Sequence, residues 1–366
     1  MTRIAVFCDG TWNSPDIDET TSVHKIYQTL LTDGVPGQIP VYFKGIGVVD
    51  NYDGPIRRLL NRYGGGAFGW GLDGKVKQAY QFLCDAYSDG DEIYLFGFSR
   101  GAYTARSVAG MIRKCGLVKD PTPEKINEAF ALYRKRGKRN APDTPHIQRT
   151  RHKLSPDFAT SQDDLAWRKQ QDVTDGSKLV NIRYLGVFDT VGARGIPTSI
   201  LGPIAAAWNR QYKFHDAALS SLVKSARHAL AVDERRRLFV PAKWDNLDRL
   251  NGSTSGAGRP YQQVWFVGNH RILGGSGAQS QKLSVIPLEW MMAGATGLKL
   301  RAGKSFANVA PDPVSDSPIL NKAPSILGKW RDGPHREEEM HPSVRTRVRG
   351  RQDYRPKSLW RLFQGN

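Results

Sequence analysis

Glu92-Ile-Tyr-Leu-Phe-Gly-Phe-Ser-Arg-Gly-Ala-Tyr-Thr-Ala-Arg106 is the stretch on which the fold turns. Ile93 to Phe96 is an apolar run of strand length, and Arg100 to Cys115 carries helical spacing. Between them, Gly97-Phe98-Ser99-Arg100-Gly101 fits G-x-S-x-G. Alone, that pattern also fits an ordinary glycine turn. Flanked by a strand and a helix, it meets the requirement of a nucleophile elbow. Glycines are needed at 97 and 101 because a Cβ beside so sharp a turn would strike the neighbouring strand or helix. The turn lifts the Ser99 oxygen out of the sheet and aims the backbone N–H of Arg100, at the helix N-terminus, toward a developing oxyanion.

Outward from this point the chain alternates. Residues 3–8 read as a buried strand, Ser22 to Leu31 as a helix and Pro40 to Lys44 as a strand. Leu72, Val76, Ala79, Tyr80 and Leu83 form a helical stripe ending near Tyr87. After the elbow come a helix over Glu124 to Lys135, a polar insertion reaching Ser177, and a strand over Leu179 to Phe188. A helix over Ala217 to Ala231, a strand over Val264 to Val267 and a helix over Pro287 to Gly297 complete the pattern. The expected fold class is α/β: a mostly parallel sheet with helices on both faces. Residues 1–300 form the expected main unit, with 111–177 as a helical, basic insertion or lid. From Arg301 the periodicity fades into a basic tail or peripheral subdomain, residues 301–366.

A serine nucleophile needs a base and an orienter, in the chain order Ser, Asp or Glu, His. Asp189 directly follows the strand ending at Phe188; a helix cap or turn former is its other reading. His270 lies in a loop after the strand ending at Val267, ahead of Gly274-Gly275, where α/β sheets place their sites. Its rival is His228, read on a helix with Leu219, Leu222, Val223 and Ala226, where a lone histidine is more often a packing residue. Loop position and chain order favour His270. His24, His215, His335 and His341 lack a comparable strand-end context. A second oxyanion donor belongs after an early strand, so the N–H of Gly10 or Thr11 is the candidate, with Asp9 shaping that loop by accepting backbone hydrogen bonds. The glycine-rich run Gly64 to Gly71 follows no strand and lacks both dinucleotide and P-loop patterns, so close packing outranks nucleotide binding.

Composition bounds what remains. The chain has 366 residues, 39% of them apolar, which argues against wholesale disorder. Three cysteines, Cys8, Cys84 and Cys115, make neither a disulfide framework nor a zinc-ligand pair. No apolar run reaches the ~18 residues of a membrane span, and the first eight residues are too short for a signal peptide. A cytoplasmic protein without metal or organic cofactor is the expectation. The formal charge is +18, from 53 Lys and Arg against 35 Asp and Glu. Residues 111–153 hold twelve basic and four acidic side chains, centred on Arg134 to Arg139, and Arg345, Arg347, Arg349 and Arg351 alternate near the end. Neither stretch carries a nucleic-acid motif with interleaved aromatics, so a general anion-attracting surface is expected and specific nucleic acid is not.

Several blocks then recur together: Phe7-Cys-Asp-Gly-Thr-Trp-Asn13, Ile93 to Arg106, Gly186-Val-Phe-Asp-Thr-Val-Gly192, Arg227-His-Ala-Leu-Ala-Val-Asp-Glu-Arg235, Trp265-Phe-Val-Gly-Asn-His270 and Ile286-Pro-Leu-Glu-Trp-Met291. In this order and over residues 3–300, the chain resembles the type VI secretion phospholipase-effector catalytic domain, a family of bacteria and fungi. The resemblance implies an α/β-hydrolase fold and a serine esterase or phospholipase. It places the nucleophile on Ser99, the acid on Asp189 and the base on His270. It also implies a lipid or ester substrate, export by a dedicated secretion system, and secretion or immunity proteins as partners; for an anionic phospholipid, the basic stretches at 111–153 and in the tail are expected to concentrate the chain at an anionic membrane surface. The chain departs at Ile272, where the family usually carries Asp two residues after the histidine. That departure keeps alive a catalytically weak hydrolase used as a binding module; nucleic-acid binding ranks lower.

Overall fold

The computed structural model describes residues 1–10, 20–45, 67–191, 218–236, 239–298, 309–319 and 331–363. Its centre is a six-stranded sheet in which every neighbouring pair is parallel. The strands are β1 (Arg3–Cys8), β2 (Gln38–Phe43), β3 (Glu92–Phe98), β6 (Ile182–Phe188), β7 (Ala226–Ala231) and β8 (Tyr261–Phe266), in the spatial order β2-β1-β3-β6-β7-β8. Two short strands, β4 (Phe158–Ala159) and β5 (Lys178–Leu179), pair separately. Pro40 sits in β2, an edge strand, which tolerates its missing N–H.

Alternation along the inner strands explains the layers. Ile4, Val6 and Cys8 of β1, Ile93 and Leu95 of β3, and Leu185 and Val187 of β6 face one buried cluster. Helices α2 (Ala67–Ala86), α3 (Arg100–Cys115) and α4 (Pro123–Arg134) cover it. Ala5, Phe7, Tyr94, Phe96, Tyr184 and Phe188 face the other cluster, covered by α1 (Ser22–Asp33) and, later in the chain, by Gln281–Gly294. Both faces are apolar, so the strands read as continuous hydrophobic runs, as parallel sheets do. After β1 the chain crosses outward to β2; after β3 it proceeds the other way. The carboxyl ends of β1 and β3 therefore flank the switch point where α/β sheets open a crevice. Asp9 and Ser99 stand there.

Two expected elements differ. The stretch expected as a helix over 217–231 is not one over its described residues, 218–231; Ala226–Ala231 is the strand β7, between β6 and β8. Leu219, Leu222 and Val223 are buried in the connection before it, and this accidental helical spacing concealed a strand buried on both faces. The late helix begins at Gln281, six residues ahead of Pro287, and runs through that proline. Leu283, Ile286, Leu288 and Met291 are buried along it, and that burial outweighs the lost hydrogen bond. Residues 64–66 of the glycine-rich run lie outside the described residues, and 67–71 open α2.

The insertion contains α5 (Pro145–Leu154) and α6 (Gln162–Gln171), organised by buried charge. Arg151 Nη2 and Nε each lie 2.8 Å from the Asp164 carboxylate, and Arg168 donates to the carbonyls of Ser155, Pro156 and Phe158. Its contacts with α3 fall on the C-terminal half of that helix: Tyr133 lies against Gly110, Arg113 reaches Asp143 and Thr160, and Lys114 reaches the Lys135 carbonyl. Ser99 is at the opposite end. Residues 331–363 pack beside β8 through α7 (Pro342–Gly350), where Met340 and Val344 join Trp265 and Val267 in a third cluster.

Candidate active site

Ser99 sits between β3 and α3 with φ 57° and ψ −117°, a left-handed-side conformation that a serine adopts only when its surroundings impose it. Its N–H donates to Phe188 O at 3.0 Å, tying the elbow to β6. A Cβ on Gly97 would lie 2.5 Å from Ala102 Cα, and one on Gly101 would collide with the Cys8 carbonyl. Both glycines thus permit the close approach of strand, turn and helix that the pattern anticipates.

Three elements converge on the serine. His270, after β8, lies with Nε2 2.8 Å from Ser99 Oγ and Nδ1 2.5 Å from Asp189 Oδ2. Asp189, after β6, has φ 40° and is fully buried. An ionised carboxylate only accepts, so Nδ1 carries the imidazole proton and the Nε2 lone pair faces the serine hydroxyl. Phe98 and Phe239 pack against the imidazole at 4.8 and 4.7 Å between ring centres, shielding it from water. Glu234 Oε2 accepts the His270 backbone N–H at 3.2 Å, and Asn269 caps the following turn through Ile272 N.

Burial disfavours the Asp189 charge, but Arg331 and His270 hold its carboxyl well below the usual range. Arg331 Nη1 lies 2.5 Å from Oδ1 and Nη2 2.8 Å from Oδ2, while Ala231 N–H adds a bond of 3.1 Å to Oδ1. Burial lowers the His270 pKa below 6.5, with Asp189 offsetting part of that shift. The imidazole is therefore neutral, and able to accept a proton, at neutral pH.

On the opposite wall, Asp9 accepts from Thr21 Oγ and Tyr42 OH, each at 2.5 Å, and from Gly10 N at 2.6 Å. The backbone donor among these is Gly10 N, and the rest of the loop that Asp9 is expected to shape lies outside the described residues. The Gly10 amide is thereby engaged by Asp9, and Thr11 lies outside the described residues. The Arg100 amide belongs to the first turn of α3, whose positive dipole end faces Ser99. Among the described residues, no group of three or more His, Cys, Asp or Glu side chains could hold a metal ion, and no helix is long and apolar enough to cross a membrane.

Ser99, Asp189 and His270 are thus brought together, and His228 is not: it pairs with Thr190 N and Gln263 instead. Sequence reasoning missed Arg331, Glu234 and Phe239. Glu234 lies in a block already singled out, whereas Arg331 stands where periodicity has faded and offers no local signal. Ile272 packs with Leu230, Val232, Trp265 and Leu283, so its surroundings are apolar.

Comparison with known proteins follows the same line. The family described as "T6SS, Phospholipase effector Tle1-like, catalytic domain" matches residues 2–294. An uncharacterized protein of Saccharomyces cerevisiae, YEL023C, is 31% identical over 244 residues, 65% of this chain. The chain spans about a third, 32%, of that relative's length. The crystal structure of an uncharacterized protein from Pseudomonas aeruginosa overlaps with a TM-score of 0.39 at 13% identity, covering 83% of this chain and 47% of that one. The Tle1 effector bound to the VgrG spike of the type 6 secretion system overlaps with a TM-score of 0.32 at 17% identity, covering 75% and 51%. With a parallel α/β sheet and a match across residues 2–294, the chain belongs to the Tle1-like phospholipase-effector catalytic-domain family.

Proposed function

We propose that this chain is a serine hydrolase of carboxylic esters, with phospholipid acyl esters as its substrate class. One observation carries the reading: Ser99 Oγ, His270 and Asp189 form a hydrogen-bonded line at 2.8 and 2.5 Å on a strained strand-to-helix turn. His270 Nε2 takes the Ser99 proton as the oxygen attacks the ester carbonyl. Asp189 holds the tautomer and stabilises the imidazolium. The Arg100 N–H stabilises the tetrahedral oxyanion; losing one such donor typically costs ~3 kcal/mol of barrier. The second donor is assigned to the loop after β1, at Thr11 or at Gly10 once its amide leaves Asp9. His270 then protonates the departing alcohol, and water, deprotonated by the same imidazole, releases the acid from Ser99.

The phospholipid class is supported by family membership. The charge agrees with it. A cavity of about 450 Å³ beside the C-terminal half of α3, away from Ser99, is lined by Arg106, Arg113, Lys114, Lys135, Arg136 and Lys138; Arg113 is paired with Asp143, and the other cations attract an anionic lipid surface. Secretion or immunity proteins as partners, and export by a secretion system, rest on the family alone.

The test uses a fluorophosphonate probe with phospholipid vesicles, anionic and zwitterionic. Wild type should form the covalent adduct and release fatty acid, faster from anionic vesicles. Ser99→Ala should lose both; retained labelling or hydrolysis in Ser99→Ala would sink the assignment.

A further inference from the structure

Arg331 lies beyond residue 294, where the family match ends, yet it touches the centre of the site. Its side chain is buried, at 3% exposure, against a fully buried Asp189. Both terminal guanidinium nitrogens engage the carboxylate, one on each oxygen, which is the fork-to-fork geometry that fixes a carboxylate in rotation. Oδ2 is shared between Arg331 and His270 Nδ1. The segment carrying Arg331 is itself anchored at the ends of β7 and β8. Tyr354 OH donates to Asp233 Oδ2 at 3.0 Å, Ser358 Oγ to Val232 O at 2.9 Å, and His341 N to Trp265 O at 2.9 Å.

We propose that Arg331 is a positioning residue of the triad: it locks the Asp189 carboxylate against His270 and draws off part of its negative charge, so that His270 serves as free base at lower pH than the acid–histidine pair alone would allow. The catalytic consequence rests on the serine-hydrolase reading above; the electrostatic coupling does not.

In an acid–histidine pair, the carboxylate stabilises the imidazolium with its whole charge. A guanidinium stays protonated at any working pH, so here a permanent cation competes for that charge. The groups facing His270 come from every side. Asp189 follows β6, and Glu234 follows β7 and is paired with Arg236; both favour the imidazolium. Arg331 opposes it. Ser99 and the rings of Phe98 and Phe239 add no charge. Removing the guanidinium leaves two carboxylates facing the imidazole, so its protonation becomes easier and the free base survives only at higher pH.

The experiment follows His270 by NMR in the full chain carrying labelled histidine, its resonance identified by loss in His270→Gln. The pH profile of fluorophosphonate labelling is measured beside it. In wild type the His270 midpoint should lie below that of free imidazole. Arg331→Gln should raise the midpoint and the acidic limb together by about one pH unit, a tenfold loss of free base on the acid side. Arg331→Lys keeps the charge and should hold both near wild type, even where its poorer geometry lowers the plateau. A fallen plateau with an unmoved midpoint in Arg331→Gln makes the residue merely structural and overturns the proposal, as does Arg331→Lys shifting like the glutamine variant. Should Arg331→Gln fail to fold, a wild-type midpoint above free imidazole, or a raised one in Arg331→Lys, overturns it alone. Should no protein be labelled, wild type included, while the midpoints move as stated, the hydrolase reading falls and the Arg331 coupling stands.

Discussion

His228 and His270 are both buried, stand on neighbouring parts of the sheet, and hold the same neutral tautomer. In each, Nδ1–H points at an oxygen and Nε2 accepts a hydrogen bond. His228 in β7 donates to Gln263 Oε1 at 3.0 Å and accepts from the Thr190 backbone N–H at 3.1 Å, with Trp244 edge-on at 5.1 Å. His270 has a carboxylate in place of the amide oxygen and a hydroxyl in place of the backbone N–H. The two differences are what general-base work requires. A backbone amide cannot surrender its proton, whereas a serine hydroxyl that is attacking a carbonyl does. An amide oxygen offers a new imidazolium only a dipole, whereas Asp189 offers a charge. Burial is common to both, so burial does not distinguish a base from a packing residue; partners do.

Substitution tests that contrast most severely. His270→Ala should lower hydrolysis by about a thousandfold or more while leaving a folded protein. His228→Gln should leave activity per folded molecule within a few-fold, and cost about 1–3 kcal/mol of stability where the Thr190 amide or Gln263 loses its partner. Rates and urea midpoints measured on both variants decide the matter. A catalytic collapse in His228→Gln, with His270→Ala active, would reverse the assignment.

A smaller effect concerns what surrounds His270. Ile272 is 3% exposed in its apolar cluster, and the space beside it is so close that a Cβ on Gly268 would lie 2.6 Å from Ile272 Cγ2. Ile272→Asp places a carboxylate among Leu230, Val232 and Leu283. The expected cost is about 3 kcal/mol, read as a lowered urea midpoint. Unchanged stability would mean that a polar partner reaches this position, and that the turn bearing His270 is held by charge rather than by packing.

Much of this region is legible in the sequence, for a physical reason. The elbow is a local pattern, because a strained turn needs its glycines within two residues of the serine, and Asp189 and His270 are readable from the strand ends they follow and from their order along the chain. His228 is harder to read. Small residues in Ala226-Arg-His-Ala-Leu-Ala231 give a strand buried on both faces no period-2 signature, and Leu219, Leu222 and Val223 supply a false helical one. Its role as a packing histidine is anticipated; its element is not. Arg331 marks the limit of the sequence reading. Its meaning lies entirely in a partner 142 positions away, and a single arginine in a weakly patterned basic stretch announces no such pairing.

The mildest test compares the two histidines through the acid sensitivity of folding. Burial, with Arg106 beside it, pushes the His228 pKa down to about 3, and burial lowers that of His270 as well. A histidine depressed in the folded state stabilises the fold fully above its unfolded pKa of about 6.5, because both states are then neutral. Below that value the unfolded chain binds a proton that the folded one refuses, and stability is lost as pH falls toward the folded pKa. At pH 5 the loss is about 2 kcal/mol for His228. Asp189 is depressed too, but its contribution disappears only below the ordinary carboxylate range, whereas Asp233, raised by burial to about 6, gains a proton between pH 7.5 and 5 and offsets part of the loss equally in wild type and variant. His24 and His341, also lowered by burial, add the same background to any variant that leaves them in place. Urea unfolding at the two pH values should therefore show wild type losing about 2 kcal/mol more than His228→Gln. Equal losses would mean that His228 accepts a proton in the folded state, making it a second titrating base beneath the Asp189–Thr190 turn and removing the contrast with His270.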